Sequence, residues 1–142
     1  MMKNKGDILL WTHKFVNLPV KDLKVSMDFF KKLGFTFNPQ FTDENTGCMI
    51  VGEHNFVMLI VNEFFKTFTK KKISDAEKTT EVIVSLSAES REKVDEMVNK
   101  AFAAGAKPSN EKMEDGFMYG WSFQDLDNHL WEIFYMDMDK IS

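Results

Sequence analysis

The chain has 142 residues, 44% hydrophobic and 28% charged, with 7 Gly and 3 Pro, a balance that excludes disordered and fibrous classes and lets one domain bury roughly 70% of its unfolded surface. A formal net charge of −4 argues against a nucleic-acid partner, because phosphate binding depends on clustered Lys and Arg that release counterions. The one basic run, Lys70 to Lys72, is followed by Asp75 and Glu77 and reads as a solvated loop.

After a polar lead, Met1 to Asp7, which lacks the apolar core of a secretory signal, Phe15 to Val20 reads as a strand, with Pro19 near its end. Asp22 can cap a helix whose apolar residues Leu23, Met27, Phe30 and Leu33 recur at helical spacing, and Gly34 fits the following position, where positive φ is needed. Strands are expected at Thr36 to Phe41, Gly47 to Val51 and Phe56 to Val61, separated by turn-rich stretches. The order so far is β-α-β-β-β. Asn62 to Phe68 suits a short amphipathic helix and opens a linker.

The same order then restarts. Glu81 to Ser87 alternates Val82, Val84 and Leu86 against Ile83, Ser85 and Ser87, the pattern of a half-buried strand. Ser90 can cap the helix Arg91 to Ala104, whose stripe is Val94, Met97, Val98, Ala101 and Phe102, with Gly105 as its stop. Strands near Lys107 to Met113, Tyr119 to Phe123 and Leu130 to Met136 complete it. The expectation is a single α+β domain over 1–142 made of two βαβββ modules, about 13–62 and 80–137, joined by a linker at 63–79. A ferredoxin-like α+β sandwich is the runner-up, with fewer strands per helix. No apolar run is long enough to span a bilayer, so a cytoplasmic protein without a membrane partner is expected.

Two segments carry a resemblance. Phe15-Val-Asn-Leu-Pro-Val-Lys-Asp-Leu through Leu33-Gly-Phe35 resembles the opening strand and helix of the glyoxalase and bleomycin-resistance proteins, the vicinal-oxygen-chelate superfamily. Phe123-Gln-Asp-Leu-Asp-Asn-His-Leu-Trp-Glu-Ile-Phe134 resembles the family's closing motif, Asp-Pro-Asp-Gly-x-x-x-Glu-Leu/Ile. The resemblance implies curved mixed sheets enclosing a small-molecule cavity. It also implies four metal-ligand positions, which fall on Phe15, near Leu59, on Glu81 and on Glu132.

Two of those four cannot bind a metal, so none is expected. If a divalent metal is present, the donors would be Glu81, Glu132 and, in place of Phe15, His13, which lies two residues earlier on the same face. His54 belongs to a hairpin turn, and His129 shapes the turn before the last strand. Cys48, the only cysteine, precedes Met49 and Ile50 in a strand and reads as a buried, inert thiol. On the last strand Trp131, Ile133 and Tyr135 share one face, and Leu130, Glu132 and Phe134 the other. With the first set on a helix, Glu132 looks into the cavity as the catalytic candidate, and Phe15, Asn17, Leu59, Glu81, Ile83, Glu132 and Phe134 form its lining.

These expectations favour a protein that binds a small, largely apolar or aromatic molecule without a cofactor, in keeping with 14 Phe, 3 Trp and 10 Met. The alternative is a metal-dependent lyase or isomerase similar to lactoylglutathione lyase, in which Glu132 or Glu81 moves a proton. A purely structural or regulatory role has no distinct signal. The resemblance further implies a homodimer.

Overall fold

The computed structural model describes residues 11–140; the lead Met1 to Asp7 lies outside them. The first module runs β1 (Lys14–Val20), α1 (Leu23–Lys32), β2 (Thr36–Phe37), β3 (Thr46–Gly52) and β4 (Asn55–Val61). Its sheet has the order β1-β4-β3-β2, with β1 parallel to β4 and the other pairs antiparallel. The Asp22 side chain accepts a hydrogen bond from the Val25 amide at 3.1 Å and starts α1. Gly34, at φ 107°, ends it, as its place after Leu33 implies.

A short helix, α2 (Asn62–Phe65), and a 3₁₀ turn, Lys66–Phe68, follow. The second module runs β5 (Ile83–Ser87), α3 (Arg91–Ala103), β6 (Lys107–Pro108), β7 (Met113–Asp115), β8 (Met118–Gln124) and β9 (Leu130–Met136). Its sheet order is β5-β9-β8-β6, with β5 parallel to β9 and β7 also paired to β8. Ser90 caps α3 through the Lys93 amide at 3.1 Å. The architecture is therefore α+β, two mixed sheets in which the second module repeats the βαβββ order of the first with its middle strand divided into β6 and β7.

Three strands are shorter than their sequence suggests, each for a local reason. The stretch after Phe37 turns because Pro39 has no N–H and the Asn38 side chain accepts from the Gln40 amide, which makes a 3₁₀ turn at Pro39–Phe41. Lys107 to Met113 splits into β6 and β7 because the Asn110 amide bonds to the Ser122 hydroxyl at 2.9 Å instead of to a neighbouring strand. β5 begins at Ile83, so Glu81 precedes the strand.

Each sheet packs one face on helices. In the first sheet, Leu18 and Leu59 are level with Gly47, and a Cβ added at Gly47 would meet Met27 and Leu23 of α1 at 3.0 and 3.4 Å. In the second, Trp131 lies level with Val84 and Phe123. One cluster joins both modules: Phe29, Phe30, Leu59, Val94, Val98, Phe123 and Trp131 all belong to it. Trp131, 0% exposed, lies 5.0 Å from the Phe30 ring and stacks on Phe123 at 6.4 Å. The rings of the second module thus cover the helix of the first. No described helix is long and apolar enough to cross a membrane.

Candidate functional site

The opposite face of each sheet turns away from α1 and α3. On the first sheet it presents Phe15 and Asn17 of β1, level with Phe56 and Met58 of β4. The Phe15 and Phe56 rings stack at 5.0 Å, and His13 stacks on Phe56 at 5.8 Å. His54, in the β3–β4 turn, stands edge-on to His13 at 5.2 Å. The result is a ladder of flat rings at the start of β1 and β4, with Phe15 52% exposed. On the second sheet the open face presents Ile83, 54% exposed, and Ser85 of β5 beside Leu130, Glu132 and Phe134 of β9. The Ser85 hydroxyl donates to Glu132 Oε1 at 2.9 Å.

Between the two modules lies a cavity of about 340 Å³. Asn17 and Pro19 of β1 form one wall, Glu81, Val82 and Leu130 another, and Phe65 with the linker from Thr69 to Thr80 closes the third side. Because alternate strand residues share a face, the wall at Asn17 continues into Phe15, and the wall at Leu130 continues into Glu132 and Phe134. Of the residues that the sequence places in the lining, Asn17 and Glu81 border this cavity, whereas Phe15, Ile83, Glu132 and Phe134 lie outside it on the open faces.

The turn Asp125 to His129 clasps the modules beside that cavity. Asp125 is 3% exposed; its Oδ1 accepts the Asp127 and His129 amides at 2.8 and 3.0 Å, and its Oδ2 accepts the Trp131 indole N–H at 2.9 Å. Burial pushes its carboxyl above the ordinary carboxylate range, opposed in part by the neighbouring His129 charge and these N–H donors. Asp127 reaches the first module, accepting the Lys21 amide at 2.8 Å and the Ser26 hydroxyl at 2.9 Å. His129 Nε2 lies 2.7 Å from the Pro19 carbonyl oxygen, so that nitrogen carries the proton and donates. Asn128, at φ 68°, occupies the left-handed conformation where the resembled motif has Gly.

The structure brings together some of the residues that the sequence singles out and separates others. Phe15 and Asn17 share the open face of one sheet, and Ile83, Glu132 and Phe134 that of the other. Leu59 does not join them. It is 0% exposed on the helix face, and the open-face residue beside it is Met58, level with Asn17. A continuous apolar run from Phe56 to Val61 has no alternation by which to read its register. Glu81 is also apart from Glu132: the residue level with Glu132 is Ser85, and Glu81 stands four positions earlier, roughly 13 Å along an extended chain. His129 shapes its turn as expected but also ties the modules. Cys48 is fully buried, and burial pushes its thiol pKa up.

The donors on this surface do not fit a tightly held transition metal. Phe15, Phe56 and Met58 occupy the first sheet's open face, and Glu132 is engaged by Ser85 on the second. Among the described residues no three or more His, Cys, Asp or Glu are grouped to hold an ion, whereas such sites need about three or four protein donors. An ion at Glu132 would take most of its ligands from solvent oxygen. Sequence reasoning missed Pro19, Phe65 and Leu130 as lining, and Lys71 and Lys72 as part of the linker wall. Only the position of the basic run between two matching modules could have signalled this.

The repeated module order and the open sheet faces define a class of fold, the one shared by glyoxalase, bleomycin-resistance and dioxygenase proteins of known structure. Residues 13–52 match the family described as bleomycin resistance protein-like N-terminal. The chain is similar to the hypothetical protein SA1046 from S. aureus, with 32% identity, a TM-score of 0.75, and 89% of this chain and 95% of that one covered. It is also similar to a glyoxalase/bleomycin resistance protein/dioxygenase family enzyme from Burkholderia phytofirmans PsJN, at 16% identity and TM-score 0.74, covering 86% and 96%. The fosfomycin resistance protein FosX from Listeria monocytogenes, in a mutant form complexed with Mn(II), shares 18% identity and a TM-score of 0.62, with 89% of each chain covered. No curated protein sequence matches the chain.

Proposed function

We propose that this protein binds a small, largely apolar or aromatic molecule in the cavity at the module junction, without a metal, and acts as a homodimer in a reducing compartment. The observation that carries the reading is the exchange of donors for apolar groups on the open faces: Phe15, Phe56 and Met58 stand there, next to a cavity of about 340 Å³, a size within the usual range for small-molecule sites. Stacked rings suit a planar partner. The uncovered Phe15 and Ile83 support the dimer, since a second copy would take them out of water. The second reading, a metal-dependent lyase or isomerase similar to lactoylglutathione lyase, has Glu132 and the likeness to Mn(II)-complexed FosX as its support.

Elemental analysis of protein purified without chelator or affinity metal separates the two. The expected result is sub-stoichiometric transition metal, no lyase activity on the methylglyoxal–glutathione adduct, and unchanged stability in Glu132→Gln, whose amide oxygen still accepts from Ser85. One equivalent of Zn, Ni, Fe or Mn, with activity that chelation or Glu132→Gln abolishes, would replace the binding reading with the enzyme.

A further inference from the structure

The cavity has a sign of charge opposite to that of the chain. Two lysines of the linker, Lys71 and Lys72, line it against one carboxylate, Glu81, in a protein of formal net charge −4. Neither lysine forms an ion pair with a described residue, although six such pairs occur elsewhere among the described side chains. The hydrogen bonds of this linker among the described residues are local: the Lys71 amide donates to Thr69 Oγ1, and the Glu77, Lys78 and Thr79 amides all donate to Asp75. The strap therefore holds its own shape, and its ammonium groups are left for something else. The strand walls add the apolar groups Pro19, Val82 and Leu130 beside the polar Asn17, Glu81 and His129, and Phe65 adds a ring on the linker's side. Thr69 and Thr80 of the same linker also line the cavity, and the Thr69 hydroxyl, which accepts the Lys71 amide, keeps its proton to donate to an oxyanion.

From these lining groups we infer that the ligand is a small amphipathic acid: an aromatic or branched apolar body against Pro19, Phe65 and Leu130, and one anionic head facing Lys71 and Lys72. The inference rests on the reading of this cavity as the ligand site, and deepens it by naming the chemistry. An ammonium is a point charge that tolerates carboxylate, sulfonate or phosphate alike, so the anionic head is the shared feature. The exposed lysines act through a screened field, which favours the acid modestly and in a salt-dependent way.

Two probes of one shape test it. The isotope-labelled full chain is titrated with 1-naphthoate and with 1-naphthamide, which keeps the ring and loses the charge, while amide shifts of the cavity residues are followed by NMR. Naphthoate should bind about fivefold more tightly than the amide, as expected for a pair of solvent-screened cations. That advantage should shrink at high salt and vanish in the double variant Lys71→Gln and Lys72→Gln, which lies in an exposed strap and leaves the core untouched. Equal affinity of the two probes in the parent chain overturns the acid and leaves the cavity reading standing. An advantage that survives in the double variant also overturns it. Shifts of the cavity amides with neither probe overturn both.

Discussion

The clasp at Asp125 permits a test in which one atom is exchanged for another. Asp125→Asn keeps the shape, and the two backbone donors converging on Oδ1, from Asp127 and His129, select the retained carbonyl oxygen. The new amide nitrogen then takes the place of Oδ2 and faces the Trp131 indole N–H, 2.9 Å away, donor against donor. Orphaning a buried donor costs about 1–3 kcal/mol. The variant also relieves the desolvation of a buried carboxylate, so the net loss should fall in the lower half of that range. Trp131→Phe removes the opposing donor and shrinks a ring at the centre of the core. The double variant should therefore be more stable than the sum of the single losses by about 1 kcal/mol or more, measured by urea unfolding followed by circular dichroism. Additivity within about 0.5 kcal/mol would refute the hydrogen bond as the reason for the cost. The pH dependence supplies a second readout. Burial raises the Asp125 pKa above its ordinary 3.8, so between that value and the raised one the native state binds more protons than the unfolded chain. The stability that this residue contributes is complete below its unfolded pKa and is lost as pH rises through its folded pKa. The advantage of the parent over Asp125→Asn should be widest in acid and narrow as pH rises; the reverse trend would mean that the N–H donors outweigh desolvation.

Two further outcomes test the turn and the pairing of modules. Asn128 sits at φ 68°, so Asn128→Gly should change stability by no more than a few tenths of a kcal/mol and Asn128→Val should cost about 1–2 kcal/mol, measured by thermal melting; equal melting of the two would show that the left-handed turn is unimportant. A chain ending at Asn62 loses Phe123 and Trp131, whose rings cover Phe29 and Phe30, and should be unfolded or aggregated by itself. A monomeric, cooperatively melting product of that length would mean that each module folds independently.

Much of the fold was legible because capping and period leave local marks. Asp22, Gly34, Ser90 and Gly105 each stand where a helix begins or ends, and the alternation through Leu130 to Met136 correctly sends Trp131 inward and Glu132 to the open face. Register within an unbroken apolar run was not legible. Phe56 to Val61 reads equally well in either phase, and the open-face position that the sequence suggests for Leu59 belongs to Met58. The start of β5 is not marked either: the resemblance puts the fifth-strand site on Glu81, whereas the strand begins at Ile83 and the residue level with Glu132 is Ser85. The cavity wall from the linker was hidden for another reason: Lys71, Lys72 and Thr69 have the composition of a solvated loop, and only the three-dimensional path between modules sets them beside Pro19 and Leu130.

The closing motif changes meaning once its side chains are followed. Asp125 is enclosed by its own turn and the Trp131 indole, Asp127 holds the entry to α1 through the Lys21 amide and the Ser26 hydroxyl, and His129 holds the end of β1 through Pro19. All three anchor points lie at the junction where the cavity forms, and His129 and Pro19 both line it. The clasp therefore fixes the separation of the β1 wall from the Leu130 wall, and any variant that loosens it changes the width of the cavity as well as the stability of the chain. Loss of ligand binding on substituting Asp127 or Asp125 would accordingly place neither residue against the ligand. A direct role can be argued only for a residue whose substitution alters affinity while leaving melting unchanged, and the exposed groups Phe15, Lys71 and Lys72 are those whose environment makes that separation measurable.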